Sequence, residues 1–220
     1  MIDQKYLAIL ILIGGKSTRF GTEKAILELY GKPLILHQIE ILIQFDQDIY
    51  LVAHSEEQIW KYRSEIAFPK EINFIVDDRE FFEHSNIYKP MLGIYSGLKE
   101  LKSLGFEKVF LLSGDMPLIN PKVINLMINE SKGFECCLPK WNNGFIEPFF
   151  AIYPVVKGYE KAKDILINEN YGLLNFIDKN WKINHISVEN QIQPIDKNLL
   201  SLININGPID LIKLIQLNKK

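Results

Sequence analysis

Two short segments of the chain carry residues suited to handling phosphate. The first runs Leu12-Ile13-Gly14-Gly15-Lys16-Ser17-Thr18-Arg19-Phe20-Gly21-Thr22-Glu23-Lys24. Its glycines let backbone amides approach phosphate oxygens closely, and Lys16, Arg19 and Lys24 supply the positive charge a triphosphate requires. The second is Ser113-Gly114-Asp115-Met116-Pro117. A carboxylate there, with Gly114 leaving space beside it, suits a hard-oxygen ligand for magnesium bridging nucleotide phosphates. Each segment also has a plainer reading: a glycine-rich βα turn with solvated lysines, and an Asp turn or helix cap. Strand position and the joint presence of cations and carboxylate favour the chemical reading. A third candidate is the acidic pair Asp77-Asp78, of which one is expected to face the site.

Two familiar phosphate-binding signatures are excluded. Gly15-Lys16-Ser17 invites a P-loop reading, but the further glycine that motif needs falls on Leu10. The dinucleotide fingerprint G-x-G-x-x-G is missing because Gly14 and Gly15 are adjacent.

These segments require a scaffold, and the apolar pattern supplies one. Residues 7–13 form a continuous apolar run closed by Gly14 and Gly15, as expected of a strand covered on both faces in a parallel sheet. Similar runs at 49–53, 72–76 and 109–112 are each followed by a polar or glycine-bearing loop and helix-compatible sequence, giving βαβ units with right-handed crossovers. Ile35, Ile39, Leu42 and Phe45 share a helical face after Pro33, and Met91, Ile94, Leu98 and Leu101 share one after Pro90. Asn120-Pro121 has the form of an N-cap and first turn opening a helix at 123–130. Beyond Ser131, strands are expected at 136–139 and 145–153 around Asn142-Asn143-Gly144, with a helix at 156–168. Late strands are expected at 183–188 and 202–206, and a closing helix carries Leu211, Leu214 and Ile215 on one face. In open α/β sheets ligands bind outside the carboxyl ends of the strands, which is where all three candidate segments fall. The expected fold is α/β: a Rossmann-like, mostly parallel sheet with helices on both faces and a mixed-sheet C-terminal part, with residues 1–220 in one domain.

Composition sets the outer bounds. With 47% apolar and 24% charged residues, the chain can bury a large core, and its net charge of -2 provides no global field for nucleic acid or an acidic membrane. The apolar stretch 6–13 is far shorter than the roughly 20 residues of a membrane helix, so neither a signal peptide nor a membrane span is expected. Cys136 and Cys137 are neighbours in an apolar setting, which fits buried free thiols in a reduced cytoplasmic environment. The histidines, His37, His54, His84 and His185, lack ligand spacing for zinc.

The glycine-rich loop resembles the signature of the molybdenum cofactor guanylyltransferase family, L-x-G-G-x-S-x-R-x-G-x-[DE]-K, over Leu12 to Lys24. Gly114-Asp115-Met116-Pro117 resembles the metal-binding Asp motif of these enzymes. Pro90-Met91-Leu92-Gly93-Ile94 is similar to G-P-L-x-G-[IM], Glu147-Pro148-Phe149-Phe150-Ala151-Ile152-Tyr153 to E-P-L-x-A-x-Y, and Ile203-Asn204-Ile205-Asn206 to a late N-[IV]-N motif. The resemblance implies a fold like that of nucleotide-diphospho-sugar transferases and Mg2+. It also implies attack by the terminal phosphate of molybdopterin on the α-phosphate of GTP, with release of pyrophosphate. Carried over by position, it implies that Leu12, Ile13, Gly14, Gly15 and Lys24 contact GTP and that Arg19 and Lys24 offset charge. Asp115 would bind Mg2+, Asp78 rather than Asp77 would serve the guanine end, and Asn204 and Asn206 would border the acceptor or metal. Proteins that hand over the labile cofactor would be further partners.

The chain departs from the pattern at three places: Phe20 stands for the usual Met, Glu23 for the commoner Asp, and Lys89 for the first glycine of G-P-L-x-G. The Lys89 change bears on the loop beside the base. A CTP-dependent molybdopterin enzyme, a relative with another phosphorylated acceptor, and a non-catalytic nucleotide-binding regulator are the alternatives. Against the regulator stands the combination of Arg19, Lys24 and Asp115, since a mere binder needs no positioned metal carboxylate.

Overall fold

The computed structural model describes residues 5–14, 24–79 and 90–217, with the backbone alone at 24, 208, 213 and 215–217. The elements follow in the order β1 (Lys5–Leu12), β2 (Glu28–Leu29), β3 (Lys32–Pro33), α1 (Leu34–Leu42), β4 (Asp48–Ala53), α2 (Glu56–Glu65), β5 (Asn73–Val76), α3 (Pro90–Ser103), β6 (Phe106–Ser113), α4 (Pro121–Glu130), β7 (Cys136–Lys140), β8 (Phe150–Pro154), α5 (Val155–Ile167), β9 (Ile183–Ser187) and α6 (Pro208–Leu217). Seven strands form one sheet in the order β5-β4-β1-β6-β8-β7-β9, and β2 and β3 make a separate hairpin. Neighbouring strands run parallel except where β8 enters antiparallel between β6 and β7. This is the expected parallel sheet with a mixed C-terminal part.

The period-2 pattern of β1 shows how helices come to cover both faces. Leu7, Ile9 and Ile11 project to the side packed by α1, α2 and α4, through residues such as Ile35, Ile59 and Ile124. Ala8 and Leu10 project to the opposite side, packed by α3 and α5 through Leu98, Ala162 and Ile165. Helix α3 lies especially close to β1. A Cβ built on Gly97 would stand 2.4 Å from Leu10 Cδ2, so only glycine allows this approach.

Local signals set several helix starts. Asn120 Oδ1 accepts a 2.9 Å hydrogen bond from the Lys122 amide, with Pro121 in the first turn. The Ser55 hydroxyl caps α2 by accepting from the Gln58 amide at 3.2 Å, with Glu56 and Glu57 in the positive first turn. Helix α2 falls where helix-compatible sequence was expected after the run 49–53.

Two expected strands differ. The run 145–153 is a strand only from Phe150, because residues 141–149 form a turn closed by the Gly144 amide on the Trp141 carbonyl at 2.8 Å. The run 202–206 is not a strand. Its alternating isoleucines follow a short helical turn, Leu200–Leu202, and Ile205 is buried against Leu29, Leu34 and Leu214 rather than paired in the sheet. Cys136 and Cys137 are buried free thiols, and burial pushes Cys137 up to about 12. No helix among the described residues is long and apolar enough to cross a membrane.

Candidate functional site

From β1 the chain moves outward through β4 and β5, then returns to the other side of β1 as β6. The loops leaving β1 and β6 therefore part at their carboxyl ends, where such sheets form a ligand crevice. A cleft of about 430 Å3 opens there, lined by Leu12, Ile13, Gly14, Ala25, Pro90, Ser113, Gly114, Asp115, Phe149, Asn204 and Asn206. The structure thus brings the start of the glycine-rich loop, the Asp115 turn and the late asparagines into one place.

Backbone contacts fix the two strand ends against each other. The Gly114 amide donates to the Leu12 carbonyl at 3.0 Å, and a Cβ at Gly114 would stand 3.1 Å from that same oxygen. Glycine here permits β6 to end tightly beside β1. The Ile13 and Gly14 amides both donate to the Val52 carbonyl, at 3.0 and 3.1 Å. Gln58, buried on α2, donates from Nε2 to the Ile13 carbonyl at 3.1 Å, and its Oε1 accepts the His54 amide at 2.8 Å. Helix α2 therefore secures the end of β1 where it enters the cleft.

Asp115 is the one charged side chain among the described residues lining the cleft. The Ser113 hydroxyl donates to its Oδ1 at 2.6 Å, and its backbone carbonyl accepts from the Ile205 amide at 2.9 Å. The second contact explains why residues 203–206 leave the sheet: they are drawn across to the Asp115 turn, and Asn204 and Asn206 reach the cleft. The resulting set of carboxylate, hydroxyl and amide groups is all hard oxygen donors and polar nitrogens. Such a set fits Mg2+, which commonly takes one or two carboxylates and fills its remaining positions with phosphate and water. Among the described residues no group of three or more His, Cys, Asp and Glu side chains gathers as a metal cluster.

The acidic pair after β5 divides. Asp78 turns away from the cleft to pair with Lys99, and it lines a different groove with Arg63 and Glu100 between α2 and α3. The Asp77 carboxylate points the other way. Its Oδ1 lies 3.5 Å from the place a Cβ would occupy on Gly93, where Leu12 Cδ2 lies at 3.3 Å. Burial pushes Asp77 up to about 6, with Arg79 acting in the opposite sense. Asp77 thus lies near Leu12, a cleft residue, and Asp78 lines the α2–α3 groove; neither carboxylate is among the described residues lining the cleft.

Phe149 enters the cleft from the turn before β8. The buried Tyr153 hydroxyl donates to the Pro148 carbonyl at 2.8 Å, and Trp141 Nε1 donates to Glu147 Oε1 at 2.7 Å, so both neighbours of the turn are pinned. Burial raises Glu147, and the Trp141 bond opposes that rise. Gly15, Lys16, Arg19 and Lys89 lie outside the described residues, as does the Lys24 side chain, whose backbone opens a short turn, Lys24–Ile26, that leads Ala25 into the cleft.

The chain is similar to known proteins. The MobA-like NTP transferase domain family matches residues 9–180. A Natranaerobius thermophilus protein named "Probable molybdenum cofactor guanylyltransferase" is 31% identical over 211 residues, covering 93% of each chain. A Thermococcus sibiricus protein of the same name is 34% identical over 145 residues, which are 65% of this chain and 66% of that one. Among solved structures, molybdopterin-guanine dinucleotide biosynthesis protein A from Archaeoglobus fulgidus superposes with a TM-score of 0.75 at 24% identity, covering 96% of this chain and 98% of that chain. That last likeness speaks for the fold.

Proposed function

The chain belongs to the MobA-like NTP transferase family, and from that premise we propose that it transfers GMP from GTP to the terminal phosphate of molybdopterin, releasing pyrophosphate. The observation that carries this reading is the single cleft shared by Leu12, Ile13, Gly14 and Asp115 at the divergent ends of β1 and β6. The relatives' names supply the acceptor. Residues 1–220 act as one nucleotidyltransferase domain in the cytoplasm.

Nucleotidyl transfer asks little covalent chemistry of a protein; alignment of the attacking and leaving oxygens and neutralisation of charge supply most of the catalysis. A phosphate monoester acceptor is already largely ionised near neutral pH, its second pKa being about 6, so no general base is assigned. Asp115, oriented by Ser113, would hold Mg2+, which when bound would supply charge neutralisation on the triphosphate and polarisation of the α-phosphate. Lys24 and Arg19 offset charge on the triphosphate and departing pyrophosphate. Leu12, Ile13 and Gly14, which line the cleft, would contact the nucleotide, as would Gly15 by the sequence resemblance. The guanine end falls to Asp77, whose carboxylate can accept from the ring N–H and exocyclic amine of the base. Asn204 and Asn206, held to the Asp115 turn through Ile205, border the acceptor.

The test is to incubate the enzyme with GTP, Mg2+ and molybdopterin and to follow pyrophosphate and the dinucleotide product together. Stoichiometric formation of both is expected. Pyrophosphate release that is independent of molybdopterin, or none at all, would contradict the assignment.

A further inference from the structure

Helix α1 presents an apolar face of Leu34, Ile35, Ile39 and Leu42 to the core, interrupted by Gln38, which is 0% exposed. A buried amide is costly unless its hydrogen bonds are made. Gln38 makes two of them to backbone carbonyls far away in the sequence: Nε2 donates to Ser113 O at 2.7 Å and to Met116 O at 2.7 Å. Both partners are carbonyl oxygens, so the amine end of the amide must face them. Oε1 is buried with no hydrogen-bond partner among the described residues, and a buried acceptor left unmade costs on the order of 1–3 kcal/mol. The side chain is thus poorly justified by stability and well matched to one shape, the turn from 113 to 116. Within that turn the Met116 amide donates to the Ser113 carbonyl at a long 3.3 Å, and the Ser113 hydroxyl donates to Asp115 Oδ1. Asp115 stands between the two pinned carbonyls.

We propose that Gln38 is a positioning residue for the metal carboxylate: by clamping Ser113 O and Met116 O it fixes the direction in which Asp115 presents its oxygens to a divalent cation. This rests on the assignment of Asp115 as the metal ligand. Mg2+ demands near-ideal octahedral geometry, so a carboxylate free to swing with a loosened turn binds it less tightly even when every ligand is present. Groups that orient a ligand typically alter metal affinity by about 10- to 100-fold when removed.

The experiment is equilibrium dialysis of radiolabelled GTP against the full chain, without acceptor, over a titration of Mn2+. Gln38→Met keeps the volume and removes both donors. It should need at least about 10-fold more Mn2+ for half-maximal GTP retention while reaching parental retention when Mn2+ saturates. A merely structural role would lower the melting temperature or the number of binding-competent molecules and leave the Mn2+ midpoint in place. Gln38→Asn, which keeps an amide but reaches one methylene less, carries the same test if the methionine variant does not fold. A midpoint within about twofold of the parent overturns the proposal. Asp115→Asn, run alongside, separates the two assignments: if its midpoint shifts and that of the Gln38 variants does not, the clamp alone fails. If the Asp115→Asn midpoint stays put, the metal-ligand assignment fails and the clamp with it.

Discussion

Ser113 Oγ donates a hydrogen bond of 2.6 Å to Oδ1 of Asp115, two residues further along the same turn. A hydroxyl bonded to a carboxylate is stronger than a neutral pair and selects one orientation of the acid. Ser113→Ala should therefore lower kcat/KM by about 10-fold, or about 1.4 kcal/mol, as the carboxylate gains freedom. Asp115→Asn should fold normally and lose most turnover, because an amide keeps the shape and removes the charge that attracts Mg2+. Steady-state kinetics at saturating GTP and Mg2+, with far-UV circular dichroism as the control for folding, checks both. Near-parental turnover by Asp115→Asn would remove the aspartate from the mechanism.

The buried Asp77 makes stability depend on pH. Its folded-state pKa of about 6 lies above the ordinary value near 4, so between these values the folded protein holds more protons than the unfolded chain. The Asp77 contribution to stability is accordingly fully present below pH about 4, is lost as pH rises through about 6, and levels off above that, where the ionised group destabilises by up to about 3 kcal/mol. Asp77→Asn should flatten this segment of the profile and raise stability at pH 8. Urea unfolding of parent and variant across this range measures the difference. Parallel profiles would show that Asp77 is not the buried acid.

The contrast between Asp77 and Asp78 also marks the limit of what the sequence discloses. The run 7–13, the Asn120-Pro121 helix start and the two helical faces after Pro33 and Pro90 were legible because each is a local pattern. Asp77 and Asp78 are equivalent by composition and position, and only the pairing of Asp78 with Lys99 on α3 separates them. The helix expected after 49–53 had no legible bounds in the sequence, because the apolar face of α2 is weak: Ile59 and Tyr62 are buried while Trp60 is 72% exposed. Its Ser55 cap followed by Glu56 and Glu57 was a readable signal nonetheless. The isoleucines at 203 and 205 imitated a strand because burial of one residue against the hairpin and α6 leaves the same alternation as sheet pairing. Gln38 gave only a polar break in an apolar stripe, and its partners, Ser113 and Met116, are distant in sequence.

Gly97 offers a test of the scaffold away from the cleft. A Cβ there would meet Leu10 Cδ2 at 2.4 Å and Cδ1 at 2.9 Å, and Leu10 is fully enclosed between β1 and α3. Gly97→Ala should destabilise by about 1–3 kcal/mol through overpacking, after partial compensation from the better helix propensity of alanine. Calorimetric or denaturant unfolding would register it. A more stable variant would mean that α3 does not approach β1 this closely.

Gly14 differs from Gly97 because space exists beside it. A Cβ would meet the His54 amide nitrogen at 3.5 Å and the Val52 carbonyl at 3.7 Å, which are ordinary contacts. Gly14→Ala should leave the melting temperature unchanged, so any change in nucleotide preference reports on the nucleotide itself. A drop in melting temperature of several degrees would contradict this placement.

Base preference most directly tests the proposed guanylyl transfer to molybdopterin in the β1–β6 cleft. Guanine presents an N–H, an exocyclic amine and a carbonyl in an arrangement that cytosine does not reproduce, so a site built to pair with them penalises CTP through groups left unsatisfied. With purified enzyme, Mg2+ and molybdopterin, pyrophosphate release should favour GTP over CTP by at least about 100-fold in kcat/KM, or about 2.7 kcal/mol, and Gly14→Ala should narrow that gap. Equal rates from CTP and GTP would contradict the guanylyl assignment.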